Sequence, residues 1–134
     1  MAAADYVQYH NTDKLGHKPN YLPGRIGIVW TAKRSAPMNA RVWLVLGQTI
    51  GGTKRYWLWS WFIVDRVGIE DGVQEASGAV CQQLKPAPEI GNAPWFAEFR
   101  QFMGNFGRGF SPLRKADVEH FEASCPPDSR VPSK

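Results

Sequence analysis

A chain of 134 residues has room for one domain around one hydrophobic core and none for a second unit able to stand alone. Its 43% hydrophobic and 13% aromatic content can fill that core, and 13 glycines with 10 prolines imply short elements joined by turns. No apolar run approaches the ~20 residues of a membrane span, and 16 Lys and Arg against 12 Asp and Glu leave a charge of +4 that suits a nucleic-acid partner without requiring one.

The N-terminal Met1-Ala-Ala-Ala-Asp5 has neither the basic head nor the apolar stretch of an export signal, so a cytoplasmic protein with no membrane partner is expected. Asp5 to His10 alternates Tyr6, Gln8 and His10 against Val7 and Tyr9, which predicts a first strand ending at a polar cluster, His10 to Lys14. A breaker-rich loop with Gly16, Pro19, Pro23 and Gly24 leads to a second strand over 25–30. After an exposed basic connection over 31–40, a third, buried strand covers 41–46 and is expected to end at Gly47. Gly51-Gly52 then turns the chain into the stretch 55–65, which holds three of the six tryptophans. Uninterrupted alternation there sets Trp57, Trp59, Trp61 and Ile63 on one face and Tyr56, Leu58, Ser60, Phe62 and Val64 on the other. Both faces are apolar, so this strand is central.

The segment 66–77 is polar and weakly patterned, and 78–84 is a short fifth strand. Trp95, Phe96, Phe99, Phe102 and Met103 recur at helical spacing after Pro94, predicting an amphipathic helix over 94–103 whose stripe is core. Gly104 to Phe110 stops it, and a second helix over 112–122 turns Leu113, Val118 and Phe121 inward. Residues 1–125 make one domain, and 126–134 read as a tail or linker. Cys81 and Cys125 are too few for a disulfide framework and read as two structural thiols of a reducing compartment.

The signatures of catalysis are missing. His10, His17 and His120 lie in separate segments, and no metal-ligand spacing, nucleophile elbow or phosphate loop occurs. Gly104 to Gly109 is glycine-rich but follows a helix, where a dinucleotide fingerprint must precede one. No catalytic residue, metal or cofactor is therefore expected. What remains is cations at loops, among them Lys14, Lys33, Arg34, Lys54, Arg55 and Arg108, interleaved with strands rich in tryptophan. Such cations can hold phosphates while an aromatic pocket stacks one base drawn from its helix. A solvated rim around an ordinary core would give the same composition.

The order Tyr9-His-Asn-Thr-Asp13, Gly27-Ile-Val-Trp30, Arg41-Val-Trp-Leu44 and the aromatic strand Tyr56 to Val64 resembles the PUA-like superfamily, in particular its EVE and YTH-related branches. The resemblance spans residues 5 to 65. Where that superfamily often carries Gly-Asp-Arg-Val, Asn39-Ala40-Arg41-Val42 keeps the second half alone. Gly104 to Leu113 is similar to sensor domains beside HNH-type nucleases in modification-dependent restriction systems. The resemblance implies an α+β domain, its curved, mostly antiparallel sheet forming a small PUA-like barrel with flanking helices. It also implies a non-catalytic module that reads a modified base flipped into an aromatic pocket, with DNA as partner and a nuclease domain or subunit doing the cutting. On that basis Asn11 or Thr12 would meet the base edge, Trp30 and Trp59 would be the stacking walls, and Asp65 or Asn105 would add a hydrogen bond. Lys14, Lys33, Arg34, Lys54, Arg55 and Arg108 would hold phosphates. Two other classes fit the residues: a protein-interaction domain with an aromatic core and basic rim, and a small enzyme using Cys81 with a histidine.

Overall fold

The computed structural model describes residues 5–16, 25–30, 38–104 and 111–126, with the backbone alone at Lys14, Leu15, Val29, Trp30 and Glu70. In chain order the elements are β1 (Asp5–Asn11), a one-turn helix α1 (Thr12–Leu15), β2 (Ile26–Trp30), β3 (Arg41–Ile50), β4 (Thr53–Ile63), β5 (Arg66–Glu70), β6 (Val73–Gly78), β7 (Cys81–Gln83), α2 (Phe96–Phe102), β8 (Ser111–Pro112) and α3 (Lys115–Ser124). This is the expected α+β class, with strands in the majority. The strands form a five-stranded sheet, order β7-β4-β3-β1-β8, and a three-stranded sheet, order β2-β6-β5. Every pairing is antiparallel except β1 with β3. Among the described residues no ladder joins the two sheets into a closed barrel.

β3 runs through the middle of the larger sheet, which is why Val42 to Leu46 are apolar and buried without a break. One face of that sheet carries α2 and α3. Val7, Trp43, Val45, Tyr56, Leu58 and Trp61 meet Phe96, Phe99, Met103, Phe121 and Cys125 there. The opposite face carries the smaller sheet, with Val42, Phe62 and Val64 packed on Ile26 and Ala76. The order of layers is helices, large sheet, small sheet. Full burial of each large side chain in these clusters is worth about 1.5–3 kcal/mol, so the two cores hold the layers together. Cys125 lies in the helix-side core and Cys81 packs against the other, and both are free thiols.

Local chemistry fixes the elements. Asp5 Oδ2 accepts hydrogen bonds from Arg41 Nε at 2.6 Å and Trp43 Nε1 at 2.8 Å, which tie the start of β1 to β3. Asp117, almost fully buried, accepts from the Arg114 backbone N–H at 3.1 Å and from its guanidinium at 2.9 Å, capping α3. Arg114 also grips Glu98 at 2.9 and 3.0 Å, so one guanidinium links the two helices.

Three expectations change. β3 continues past Gly47 to Ile50, because Gly47 is there for close approach and ends nothing: a Cβ would lie 2.7 Å from Tyr9 Cζ. The segment 66–77 is the hairpin of β5 and β6, turned by Asp71 at φ 52 and Gly72 at φ 77. Alternation along β4 is broken, since Leu44 pairs with Ser60 but Val45 pairs with Leu58. Trp59 is the extra residue of a bulge, so Trp61 joins Tyr56 and Leu58 in the helix-side core and the tryptophans do not share a face. The helices fall at α2 and α3, within the expected ranges or close to them, although Phe102 of the aromatic stripe is 42% exposed under the Arg114 guanidinium. Residues 127–134 of the expected tail lie outside the described residues.

Candidate functional site

The face of the large sheet toward the small sheet is apolar at one end, where Val42, Phe62 and Val64 sit, and turns polar along the same strands. Parallel pairing sets Gln8 beside Leu44, and antiparallel pairing sets Leu44 beside Ser60, so Gln8 and Ser60 flank one leucine at a separation of two strand spacings, about 10 Å. Ser60 is fully buried. Its Oγ and Gln8 Oε1 are both shut off from solvent and have no hydrogen-bond partner among the described residues. An unsatisfied buried polar group costs about 1–3 kcal/mol, so two on adjoining positions of one face demand an explanation. The next row of the sheet is His10, Leu46 and Trp57, with Trp57 half-buried. Trp59, also half-buried, opposes Leu44 together with Ser60. The row offers an acceptor from Gln8, a donor and acceptor from Ser60, and indole rings at its margin.

At the small-sheet corner the two layers are pinned. A Cβ at Gly78 would overlap the Ile63 carbonyl, so glycine permits the contact. Asp65 stands there, ion-paired to Arg25 and accepting the Ala79 backbone N–H at 3.0 Å. Those two contacts, the Ala79 N–H first, hold its carboxyl below the usual carboxylate range. Asp65 therefore ties the corner together, six residues along the chain from Trp59.

Asn11, Thr12 and Lys54 do come together, but at the far end of β1 and on the Val7 and Tyr9 side of the sheet. Lys54 Nζ donates to Asn11 Oδ1 at 3.3 Å and to Asp13 Oδ2 at 2.9 Å. Asp13 also accepts from the Thr49 backbone N–H at 2.9 Å and its hydroxyl at 2.8 Å. The Lys54 hydrogen bond, with those from Thr49, brings the Asp13 carboxyl down to about 2. Thr12 is buried, and its Oγ1 has no hydrogen-bond partner among the described residues. Tyr9 packs its ring 6.0 Å from the Lys54 ammonium, and burial pushes its phenol pKa up. Lys54 also borders a hollow of about 560 Å³ shared with Tyr56, Gly91, Phe96 and Arg100.

Arg55 takes the other face. Its guanidinium lies 5.3 Å from the Trp57 ring and binds Glu89 through two nitrogens, at 2.8 and 2.5 Å. That hydrogen-bonded pair holds Glu89 below its ordinary range. The neighbouring cations Lys54 and Arg55, both expected to hold phosphates, thus point to opposite faces, each already matched by a carboxylate. Trp30 ends β2 opposite Gln74, and Lys14 lies in α1. The side chains of both lie outside the described residues, as do Lys33, Arg34, Asn105 and Arg108 entirely. Among the described residues no group of three or more His, Cys, Asp or Glu is placed to hold a metal ion, and no helix is long and apolar enough to cross a membrane.

Gln8 and Ser60 were not among the residues expected from the sequence. The signal was present in both: each is a polar residue with an aromatic or aliphatic residue on either side of it in the chain, and a polar residue in a central strand is informative where an apolar one is not. The chain matches no protein-family model, no curated protein and no solved structure.

Proposed function

We propose that the protein is a non-catalytic nucleic-acid-binding module that holds a modified base, flipped out of DNA, at the Gln8, Leu44 and Ser60 row of the large sheet, on its face toward the small sheet. The observation that carries this is the pair of buried, unpartnered oxygens, Gln8 Oε1 and Ser60 Oγ, beside half-buried Trp57 and Trp59. A planar, polar-edged ligand answers both needs at once, since its edge bonds the two oxygens while its face lies against an indole. The PUA-like resemblance of residues 5 to 65 points to the same class of ligand, and a nuclease domain or subunit would supply cleavage. Arg55, on the same face at the Trp57 margin, supplies positive charge for the phosphates.

The test is a fluorescence titration of the protein with a panel of modified duplexes and their unmodified counterpart. Trp59→Leu should remove about 1–3 kcal/mol from the modified complex and leave weak non-specific binding in place. Arg55→Ala should weaken both complexes alike and flatten their salt dependence. Thermal melts of each variant separate lost binding from lost fold. Duplexes that all bind equally, or Trp59→Leu with wild-type preference, would overturn the assignment.

A further inference from the structure

The small sheet ends in an open strand. β5 is the edge of the order β2-β6-β5, and among the described residues no backbone group outside its hairpin bonds to Val67 or Ile69. The two-residue turn Asp71-Gly72 fixes which way the strand's backbone points. In such a hairpin the residues flanking the turn, Glu70 and Val73, form a hydrogen-bonded pair, so Arg66, Gly68 and Glu70 direct N–H and C=O toward β6. Val67 and Ile69 direct theirs outward, to the open edge. Their side chains are exposed as well, Val67 at 47% and Ile69 at 72%, although both lie on the face that carries buried Ala76 and Gln74. An edge with free backbone groups and exposed apolar side chains is the geometry that protein strands normally guard with lysine, proline or a bulge within the strand, and β5 has none of these.

The sequence of the edge says what pairs with it. Arg66-Val-Gly-Ile-Glu70 reads as its own complement in the antiparallel sense: about a centre at Gly68, Arg66 falls opposite Glu70 and Val67 opposite Ile69. We propose that β5 is a homodimerisation edge, at which two copies of this chain pair their β5 strands antiparallel about a two-fold axis through Gly68. Val67 and Ile69 of each copy then exchange N–H···O=C bonds with Ile69 and Val67 of the other, and the two small sheets become one continuous sheet. Opposite charges meet at both ends of the pairing, and the apolar pairs cover each other on one face. The interface is isologous, so it closes at the dimer and does not propagate. Two five-residue edges bury less than the ~1,200 Å² typical of stable complexes, so the dimer exchanges with monomer as concentration falls.

Sedimentation equilibrium of the full chain over a wide concentration range reads the equilibrium directly. Concentration-dependent dimer is expected, with no larger species. Ile69→Pro removes an outward N–H and none of the hairpin's own bonds, so it should weaken dimerisation at least about tenfold with the melting temperature little changed. Arg66→Glu should weaken it too, by setting like charges opposite each other, and adding Glu70→Arg should restore it. A monomer at every concentration, or a dimer indifferent to both Ile69→Pro and Arg66→Glu, would overturn the proposal.

Discussion

Replacing Ser60 with alanine tests whether the inter-sheet row is a ligand site or ordinary core. Ser60 is fully buried and its hydroxyl has no hydrogen-bond partner among the described residues, so the folded protein bears a desolvation cost of about 1–3 kcal/mol for this one oxygen. Ser60→Ala removes that cost and leaves a gap of about one probe sphere, ~15 Å³. At ~24 cal/mol per Å³ the gap takes back about 0.4 kcal/mol. The net expectation is a gain of about 0.5–2.5 kcal/mol. For a chain of 134 residues a gain of 1 kcal/mol raises the melting temperature by about 4 °C. Calorimetry in the absence of ligand should therefore show Ser60→Ala melting above the wild type, while the same variant loses preference for the modified duplex. Stability given up for a binding group is a common exchange at functional sites. A variant that melts below the wild type would mean that the hydroxyl already has a partner in the free protein, and the site would lose its main support.

Other outcomes follow from the packing and the charges. Gly47→Ala should destabilise by about 1–3 kcal/mol in urea unfolding, because the new methyl and the Tyr9 ring claim the same space. Phe121→Ala should cost about 3–5 kcal/mol, since its ring is buried against Trp43 at 5.5 Å and Phe99 at 5.3 Å, and the loss should appear as a lower urea midpoint. The Asp13 carboxyl is lowered from 3.8 to about 2, so its stabilising effect is complete above its ordinary value and fades as pH falls through that interval. Thermal melts from pH 5 to pH 2 should show Asp13→Asn losing less stability on acidification than the wild type.

Most of the architecture was legible because burial imposes a period. The alternation Tyr6, Gln8, His10 against Val7, Tyr9 placed both faces of β1 correctly, and the aromatic recurrence from Trp95 to Met103 located the first helix and most of its buried side. The β5 and β6 hairpin was missed because its strands are too polar and exposed to show a period, although its turn Asp71-Gly72 is a strong two-residue hairpin signal. Gly47 misled for the opposite reason. Glycine was expected to end the strand, while its cause is a ring from β1, parallel in space and far away in sequence.

The site depends on the one feature that no single strand can reveal. A bulge is a property of two strands, defined by the residue of β3 that two residues of β4 must share. Read alone, β4 keeps Ser60 with Tyr56 and Leu58, on the face opposite Trp57. Read against β3, the extra residue Trp59 shifts everything after it, so that Tyr56 and Leu58 stay in the helix-side core with Trp61 while Ser60 and Phe62 turn to the face of Leu44 and Val42. The shift carries the one polar side chain of the stretch Tyr56 to Ile63 out of the aromatic core and sets it across Leu44 from Gln8. Deleting Trp59 would leave a regular ladder with Ser60 still opposite Leu44, so the pleat does not need this tryptophan. The sheet does not require this extra residue, and it sits beside two buried oxygens that have no hydrogen-bond partner among the described residues, which is the arrangement the proposed binding site uses.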